Sequence, residues 1–513
     1  MDILNGFTDA LSFANILYVF LGVGLGVIVG AIPGLSGPIA IAMLVPITYF
    51  MPTIGAIGFL VGINKGGCFG GSITAILLNT PGAPEATATT FDGYPLAKQG
   101  KGLKAMKVAL MSSVIGDIFS TILVIAVAAS IASAALHMGP TEVTAILILA
   151  LTLIAALESE SFLNGVIAAC FGLFISTIGM EPVTFSPRFT FGFFELESGI
   201  PVAALALGFL AVSELIRQCV ESSRAEDCGL SQPETKVEKD ANRLSVKEGF
   251  SLIPTWIRSS FIGAGIGACP GLGSTVAAFL SYGVAKKSAK STEKFGQGEL
   301  KGVAAPETAS NAVIGAALIP LFTLGIPGSV AASLLVGAFI VHGITPGPLM
   351  FEEHGRAVYG IYGSMIVGSI ATLILGYMGI RVFVKVLCVP KRILYPVIIF
   401  ICIMGAYILE SDPFHVYVMI AFTILGILMR IARFSFVAFI IGFVLGNLFE
   451  MSLQQMLITF NNDLTVLFTR PVSCVVMIMT LLFIAYNFYR YLRKPKQGSM
   501  AALVEEGRIR EMQ

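Results

Sequence analysis

From Ala10 to Asn64 the chain carries no Asp, Glu, Lys or Arg. At ~1.5 Å of rise per helical residue, such a run reaches more than twice across a ~30 Å hydrocarbon core. It is also interrupted. Gly-Ala-Ile-Pro-Gly-Leu-Ser-Gly-Pro spans Gly30 to Pro38, and Leu-Leu-Asn-Thr-Pro-Gly spans Leu77 to Gly82. Each Pro-Gly stops a helix and frees main-chain N–H and C=O groups at a depth where bare hydrocarbon does not tolerate them. Breaks of this kind persist only where protein or a water-filled cavity receives the freed groups. The design returns once, as Gly-Ala-Cys-Pro-Gly-Leu-Gly-Ser (Gly267 to Ser274) and Leu-Gly-Ile-Pro-Gly-Ser (Leu324 to Ser329). A pair of interrupted apolar segments in matching places of two halves points to the binding site of a secondary transporter.

Composition agrees with a bilayer. The 513 residues are 56% hydrophobic and 12% charged, against roughly 25% charged in a soluble domain. Further uncharged spans run from Ile118 to Thr141, Ser259 to Ala285, Thr308 to Phe351, Ala357 to Ile380 and Pro471 to Tyr489. Together they predict an all-α polytopic membrane protein with about ten to twelve crossings plus re-entrant segments. A net charge of +1 argues against a nucleic-acid partner, because phosphate binding needs a basic surplus on one face. The eight cysteines show no C-x-x-C spacing and read as small buried hydrophobes. The N-terminus lacks a basic region and a small-residue cleavage site and is expected to stay uncleaved.

Charge sets the organisation. Lys98, Lys101, Lys104 and Lys107 fall in a segment, Asp92 to Lys107, read as a short cytoplasmic loop. Lys286 to Lys301, with five lysines against two glutamates, reads the same way. Arg381 to Arg392, Arg430 with Arg433, and the stretch from Arg490 to Lys496 are further cytoplasmic markers, whereas Glu352-Glu353-His354-Gly355-Arg356 reads as external. The expected division is a first half at 1–216, a polar cytoplasmic linker at 217–250, a second half at 251–490 and a basic tail at 491–513.

The halves align in order: Pro33-Gly34-Leu35 with Pro270-Gly271-Leu272, Pro81-Gly82 with Pro327-Gly328, Pro95-Leu96 with Pro348-Leu349, and Gly116-Asp117-Ile118 with Gly368-Ser369-Ile370. The basic segment 94–107 matches the acidic 347–358, and the uncharged turn Tyr49 to Pro52 matches the basic loop 286–301. Each pair is basic on one side only, as two inverted-topology repeats would be.

A helix restarting at Pro-Gly presents unsatisfied N–H groups and about half a positive charge, which suits a carboxylate. Gly34, Ser36, Asn79, Thr80, Pro81, Gly82, Gly271, Ser274, Thr275, Gly325, Pro327, Gly328 and Ser329 are therefore the candidate substrate-binding residues. The cargo is expected between the Asn79–Gly82 and Gly325–Ser329 breaks. The turns at Pro33–Ser36 and Pro270–Thr275 are flanking hairpins or places for Na⁺ on unwound carbonyls. Glycines also permit close helix packing, and Ser, Thr and Asn also bond locally to backbone, so each residue alone admits a plain structural role.

Few ionisable groups lie at depth. Lys65 would cost ~2.5–3.5 kcal/mol at the midplane; it neutralises an anion, pairs with Glu85, or snorkels to an interface. Glu307 carries a coupling proton or holds the entry to the second half, or is simply an acid at a helix start after Pro306. Asn311 is a further polar group that bears on an anion or a coupling charge, and Asp117 and Glu142 are weaker candidates. No P-loop, no H-E-x-x-H spacing and no nucleophile–base pair is present in the sequence, which argues against an enzyme.

With these residues in view, the chain resembles the large membrane subunit of the tripartite tricarboxylate transporters, the TctA family. The motifs that carry the resemblance are Gly30-Ala-Ile-Pro-Gly-Leu35, Gly70-Gly-Ser-Ile-Thr-Ala-Ile-Leu-Leu-Asn-Thr-Pro-Gly82, Asp92-Gly-Tyr-Pro-Leu-Ala97, Ala304-Ala-Pro-Glu-Thr-Ala309 and Thr323-Leu-Gly-Ile-Pro-Gly328. The resemblance implies a multi-pass protein of the bacterial inner membrane that needs no cofactor beyond a coupling Na⁺ or H⁺. It implies as partners a small four-helix membrane subunit, a periplasmic solute-binding protein, a carboxylate such as citrate, and membrane lipid; assembly with copies of itself is compatible with it. Family members often carry neutral or aromatic residues where this chain has Asn64-Lys65, which leaves the role of that lysine open. The competing readings are a passive anion channel and a structural membrane scaffold.

Overall fold

The computed structural model describes residues 2–157, 162–224, 244–386, 391–408 and 412–493. Apart from a two-stranded hairpin, Gly179–Met180 against Pro187–Arg188, the described regular structure is helical. The first half holds α1 (Asp2–Ala10), α2 (Phe13–Gly30), α3 (Gly37–Thr48), α4 (Thr53–Leu78), α5 (Thr87–Lys98), α6 (Gly102–Ala135), α7 (Pro140–Leu157), α8 (Phe162–Ser176), α9 (Val202–Ala206) and α10 (Ser213–Arg224). A π-turn, Leu207–Val212, joins α9 to α10. The second half holds α11 (Val246–Gly267), α12 (Gly273–Lys287), α13 (Leu300–Ala316), α14 (Leu318–Leu324), α15 (Val330–Val341), α16 (Met350–Glu353), α17 (Gly355–Val386), α18 (Lys391–Ile408), α19 (Phe414–Ile431), α20 (Phe436–Thr459), α21 (Val466–Thr469) and α22 (Pro471–Arg493).

Among the described residues eight helices are long and apolar enough to cross a membrane, and five shorter apolar helices accompany them. The ten to twelve crossings expected from sequence fall between the eight long helices and the thirteen reached by adding the shorter ones. The reason is local: Pro-Gly stops α2 and restarts α3 as a helix of 12 residues, and α15 restarts after Pro327-Gly328 with another 12.

Two expectations change. Asp92 to Lys98 ends α5 and Gly102 opens α6, so the lysine-rich segment is a turn of Gln99 to Lys101 between two helices. Lys98 lies in the last turn of α5, where the helix dipole favours it, and Gly100 supplies the left-handed residue at φ +76°. The polar linker is shorter than drawn, because α10 continues to Arg224 and a capping box of Ser245 and Glu248 opens α11. Residues 225–243 of the linker, 387–390 of the 381–392 marker and 494–513 of the tail lie outside the described residues.

Small residues set the closest helix contacts, as membrane interfaces require. A β-carbon on Gly26 would stand 2.3 Å from the Ile63 carbonyl oxygen, and one on Gly263 would stand 2.2 Å from that of Ala309. Gly22 and Gly30 meet Phe59 and Gly67 in the same way, and Gly267 meets Val313. The rising pairs 22–59, 26–63 and 30–67 make α2 and α4 parallel; 263–309 and 267–313 make α11 and α13 parallel. Ser72 touches Glu307 while Cys68 touches Ser310, so α4 and α13 run in opposite directions. Helices α2 and α4 therefore run opposite to α11 and α13.

They are also interleaved. Helix α6 of the first half lies along α13, with Gly116 against the Thr308 carbonyl and Ser120 against Gly315. Helix α17 of the second half lies along α4, with Gly368 beside Lys65 and Ser364 beside Gly58. On one face Asp92 accepts from the N–H groups of Gly296 (2.8 Å), Gly298 (2.9 Å) and Glu299 (2.8 Å), and Gln99 donates to the Gln297 carbonyl (2.8 Å). On the other, Arg356 clamps Asp9 (2.6 and 2.9 Å) and Ile54 covers Gly360. The outermost helix, α22, turns Val472, Val475, Ile478, Leu481 and Leu482 outward, a surface fit for lipid.

Candidate functional site

Each first break closes on the second break of its own half. Past α2 the chain turns through Pro33 and through Gly34 at φ +85°, a conformation that costs only glycine little, and the Gly34 N–H donates to the Gly82 carbonyl (3.2 Å). In the second half Gly271, also at φ +85°, donates to the Gly328 carbonyl (3.3 Å). Asn79 ends α4 in the left-handed region (φ 54°) and Gly325 ends α14 in the same way (φ 72°). The structure therefore joins Gly34 to Gly82 and Gly271 to Gly328. It also shows that these two N–H groups, expected to face a ligand, are taken by main-chain carbonyls.

The remaining break residues differ in freedom. Ser36 occupies the N-cap of α3 in an extended conformation without a side-chain cap bond. Ser274 and Thr275 lie half-buried in the first turn of α12. The Ser329 hydroxyl caps α15 by accepting from the Ala332 N–H (3.2 Å). Asn79 and Thr80 are exposed, and the Thr80 hydroxyl donates back to the Leu78 carbonyl. Pro81 and Gly325 are half-buried and Pro327 buried. No hydrogen bond among the described residues joins Asn79–Gly82 to Gly325–Ser329, the two segments expected to flank the cargo.

The polar centre lies instead where α4, α6, α13 and α17 cross. Lys65, 1% exposed, donates to Asp117 Oδ2 (2.7 Å), the Met365 carbonyl (2.8 Å) and Ser369 Oγ (3.1 Å). Its partner is Asp117, not Glu85, and with three donors so engaged it is neither snorkelling nor open to an anion. Deleting one member of such a pair strands the other at a cost of about 3–5 kcal/mol. Glu307, also 1% exposed, accepts at Oε1 from Ser72 (2.6 Å) and Thr89 (2.5 Å) and at Oε2 from Ser113 (3.2 Å). It is no solvated acid at a helix start. Asn311 and Ser310 both donate to the Glu307 carbonyl, which ties them to the same turn. Sequence reading missed Ser72, Thr89, Ser113 and Ser369; their only signal is a hydroxyl in an apolar helix.

A second pair of polar sites emerges only from the structure. Near one face Glu214 accepts from Arg430 (2.6 Å), Arg217 (2.5 and 3.0 Å) and Gln218 (2.8 Å), and Tyr395 donates to Gln218. Near the other Glu450 takes a two-pronged bond from Arg188 (2.6 and 2.9 Å) and one from Gln454 (3.1 Å). Both are Glu-x-x-x-Gln elements gripped by an arginine, one per half. The Gln218 amide abuts the Pro33-Gly34 turn: a β-carbon on Gly34 would lie 2.1 Å from its nitrogen. In the loop beside Glu450, Glu181 is held down to about 2 by hydrogen bonds from the Thr184 hydroxyl and N–H, with Gln454 adding a third donor. Glu142, in the first turn of α7, pairs with Arg470 (3.2 Å).

No solved structure matches the chain. A protein of Agrobacterium vitis named "Uncharacterized 52.8 kDa protein in TAR-I ttuC' 3'region" is 37% identical over 478 residues, covering 92% of this chain and 94% of the relative. Another of the same organism, "Uncharacterized protein in TAR-II ttuC' 3'region", is 39% identical over 211 residues, covering 41% of this chain and 87% of the relative. The family model described as "Tripartite tricarboxylate transporter TctA family" matches residues 16–441. With its paired Pro-Gly breaks, its membrane-spanning helices and that match over most of its length, the chain belongs to the tripartite tricarboxylate transporter TctA family.

Proposed function

We propose that this protein imports a di- or tricarboxylate such as citrate across a bacterial inner membrane, driven by a Na⁺ or H⁺ gradient. A periplasmic solute-binding protein delivers the substrate, and a small four-helix membrane subunit completes the complex. The observation that supports the reading is the twofold closure of the breaks, Gly34 on Gly82 and Gly271 on Gly328, with α2 and α4 running opposite to α11 and α13. Two such units behave as inverted repeats: swapping their shapes exchanges an outward-open for an inward-open cavity.

The substrate carboxylates are held by the helix starts that the breaks expose. Ser36 at α3 and Ser274 with Thr275 at α12 are the polar side chains left unengaged there, and each helix start adds its positive dipole end. Coupling rests on the buried charges. Lys65 balances Asp117, whereas Glu307 has three hydroxyl donors and, among the described residues, no ion-pair partner. A carboxylate in that position calls for a proton or a Na⁺ that arrives and leaves with the cargo.

The test is uptake by proteoliposomes over a panel of carboxylates, with and without the binding protein, under Na⁺ and pH gradients imposed separately. Accumulation above the external concentration that collapses with one ion gradient is the expected result. Flux that only follows the substrate gradient would make the protein a channel, and no flux with the complex intact would make it a scaffold.

A further inference from the structure

The surroundings of Lys65 have a composition of their own. All three ammonium hydrogens point at oxygen: the Asp117 carboxylate at 2.7 Å, the Met365 main-chain carbonyl at 2.8 Å and the Ser369 hydroxyl at 3.1 Å. Carboxylate, carbonyl and hydroxyl are hard oxygen donors, the kind that selects alkali and alkaline-earth cations over softer metals. None of the three belongs to α4, the helix that bears the lysine; Asp117 comes from α6 and the other two from α17. The Ser369 hydroxyl also donates to Asp117 Oδ2 (2.6 Å) or to the Met365 carbonyl (3.0 Å), so the oxygens form one cluster without the lysine. The second carboxylate oxygen, Asp117 Oδ1, is buried and has no hydrogen-bond partner. A buried polar atom left so is costly unless something else attracts it. The lysine stem reaches the cluster past Gly368, where a β-carbon would lie 3.2 Å from Lys65 Cδ.

We propose that Asp117, Ser369 and the Met365 carbonyl form a monovalent-cation site whose occupant in this protein is the tethered ammonium of Lys65. The lysine holds permanently the position a free Na⁺ would otherwise visit. Asp117 thereby finds its counter-charge within the protein itself, and this site does not couple transport to Na⁺. The inference deepens the transport reading above and rests on it only for the word coupling; the site itself is a matter of binding.

The experiment uses the full chain purified in detergent, without substrate or gradient. Binding of ²²Na⁺ and thermal unfolding are measured in NaCl and in choline chloride of equal ionic strength. The proteins compared are the wild type, Lys65→Ala, Lys65→Asn and the double variant Lys65→Ala/Asp117→Asn. Both single variants are expected to bind one more Na⁺ per chain than the wild type. Their unfolding midpoints should rise by several degrees, in a saturable way, when Na⁺ replaces choline. The double variant should lose both effects. Single variants that are monodisperse yet bind no more Na⁺ than the wild type overturn the proposal. So does failure of both to give folded protein in about 150 mM Na⁺, because a vacated cation site would be filled at that concentration. Since no flux is measured, a protein that proved to be a channel would leave this outcome untouched.

Discussion

Glu307 is held by three hydroxyls and has no ion-pair partner among the described residues, so hydrogen bonds are what hold its carboxyl group there. Replacement by Gln keeps the shape and the acceptor oxygen and removes the charge, at a stability cost of about 1–3 kcal/mol. Glu307→Gln is expected to insert and fold but to lose gradient-driven uptake roughly tenfold or more; uptake equal to wild type under both gradients would take Glu307 out of the coupling. Glu181 offers a case outside the bilayer. Its folded value of about 2 lies below the ordinary 4.5, so its hydrogen bonds stabilise the 179–197 loop above pH 4.5, and that contribution is lost as pH falls from 4.5 towards 2. Thr184→Val removes the first donor and should move the acid loosening of this loop, followed by hydrogen exchange of the Thr184 and Phe185 amides, to higher pH. The acids and the lysine at depth were legible in the sequence because a charge in an apolar run is conspicuous. Their partners were not: Asp117 lies 52 positions from Lys65, and Ser72 lies 235 from Glu307. Such pairings are decided by how helices cross.

The broken helices were readable because a Pro-Gly acts on its own backbone whatever surrounds it. What they bond to was not, since the Gly82 carbonyl that receives Gly34 is brought there by the turn after α4. The lysine segment was misjudged for a related reason: Leu103, Lys104, Ala105, Met106 and Lys107 are all good helix formers, and propensity prevailed over the loop that charge alone suggested. At this scale the glycine contacts make the sharpest forecast. Gly26→Ala and Gly263→Ala each place a β-carbon within 2.3 Å of a main-chain oxygen, and should lower stability by about 1–3 kcal/mol through helix displacement. Gly24→Ala, whose β-carbon would meet only Leu375 Cδ1 at 3.8 Å, should be neutral. Thermal unfolding in detergent compares the three, and equal midpoints would mean that neither α2 and α4 nor α11 and α13 are packed this closely.

For the whole molecule, the order of breaks and the sign of the loops suggested two halves facing opposite ways, but not that each lends a long helix to the other. The faces can be checked with a membrane-impermeant thiol reagent after Cys170 and Cys269, which are exposed, have been replaced by Ser. Glu353→Cys should label from outside the cell, whereas Gln99→Cys and Gln297→Cys should label only after permeabilisation and should cross-link to each other. Labelling of all three from one side would overturn the inverted arrangement that the charges of the loops suggest. The interleaving also bears on how the protein is made. Lys65 and Asp117 leave the ribosome within the same half and can neutralise each other at once, whereas Ser369 lies 304 residues behind Lys65, roughly 15–60 s of synthesis. The order of synthesis therefore allows that charge to be balanced before the second half is made. Ser72, Thr89 and Ser113, already inserted, stand as a prepared berth for the acid that emerges later.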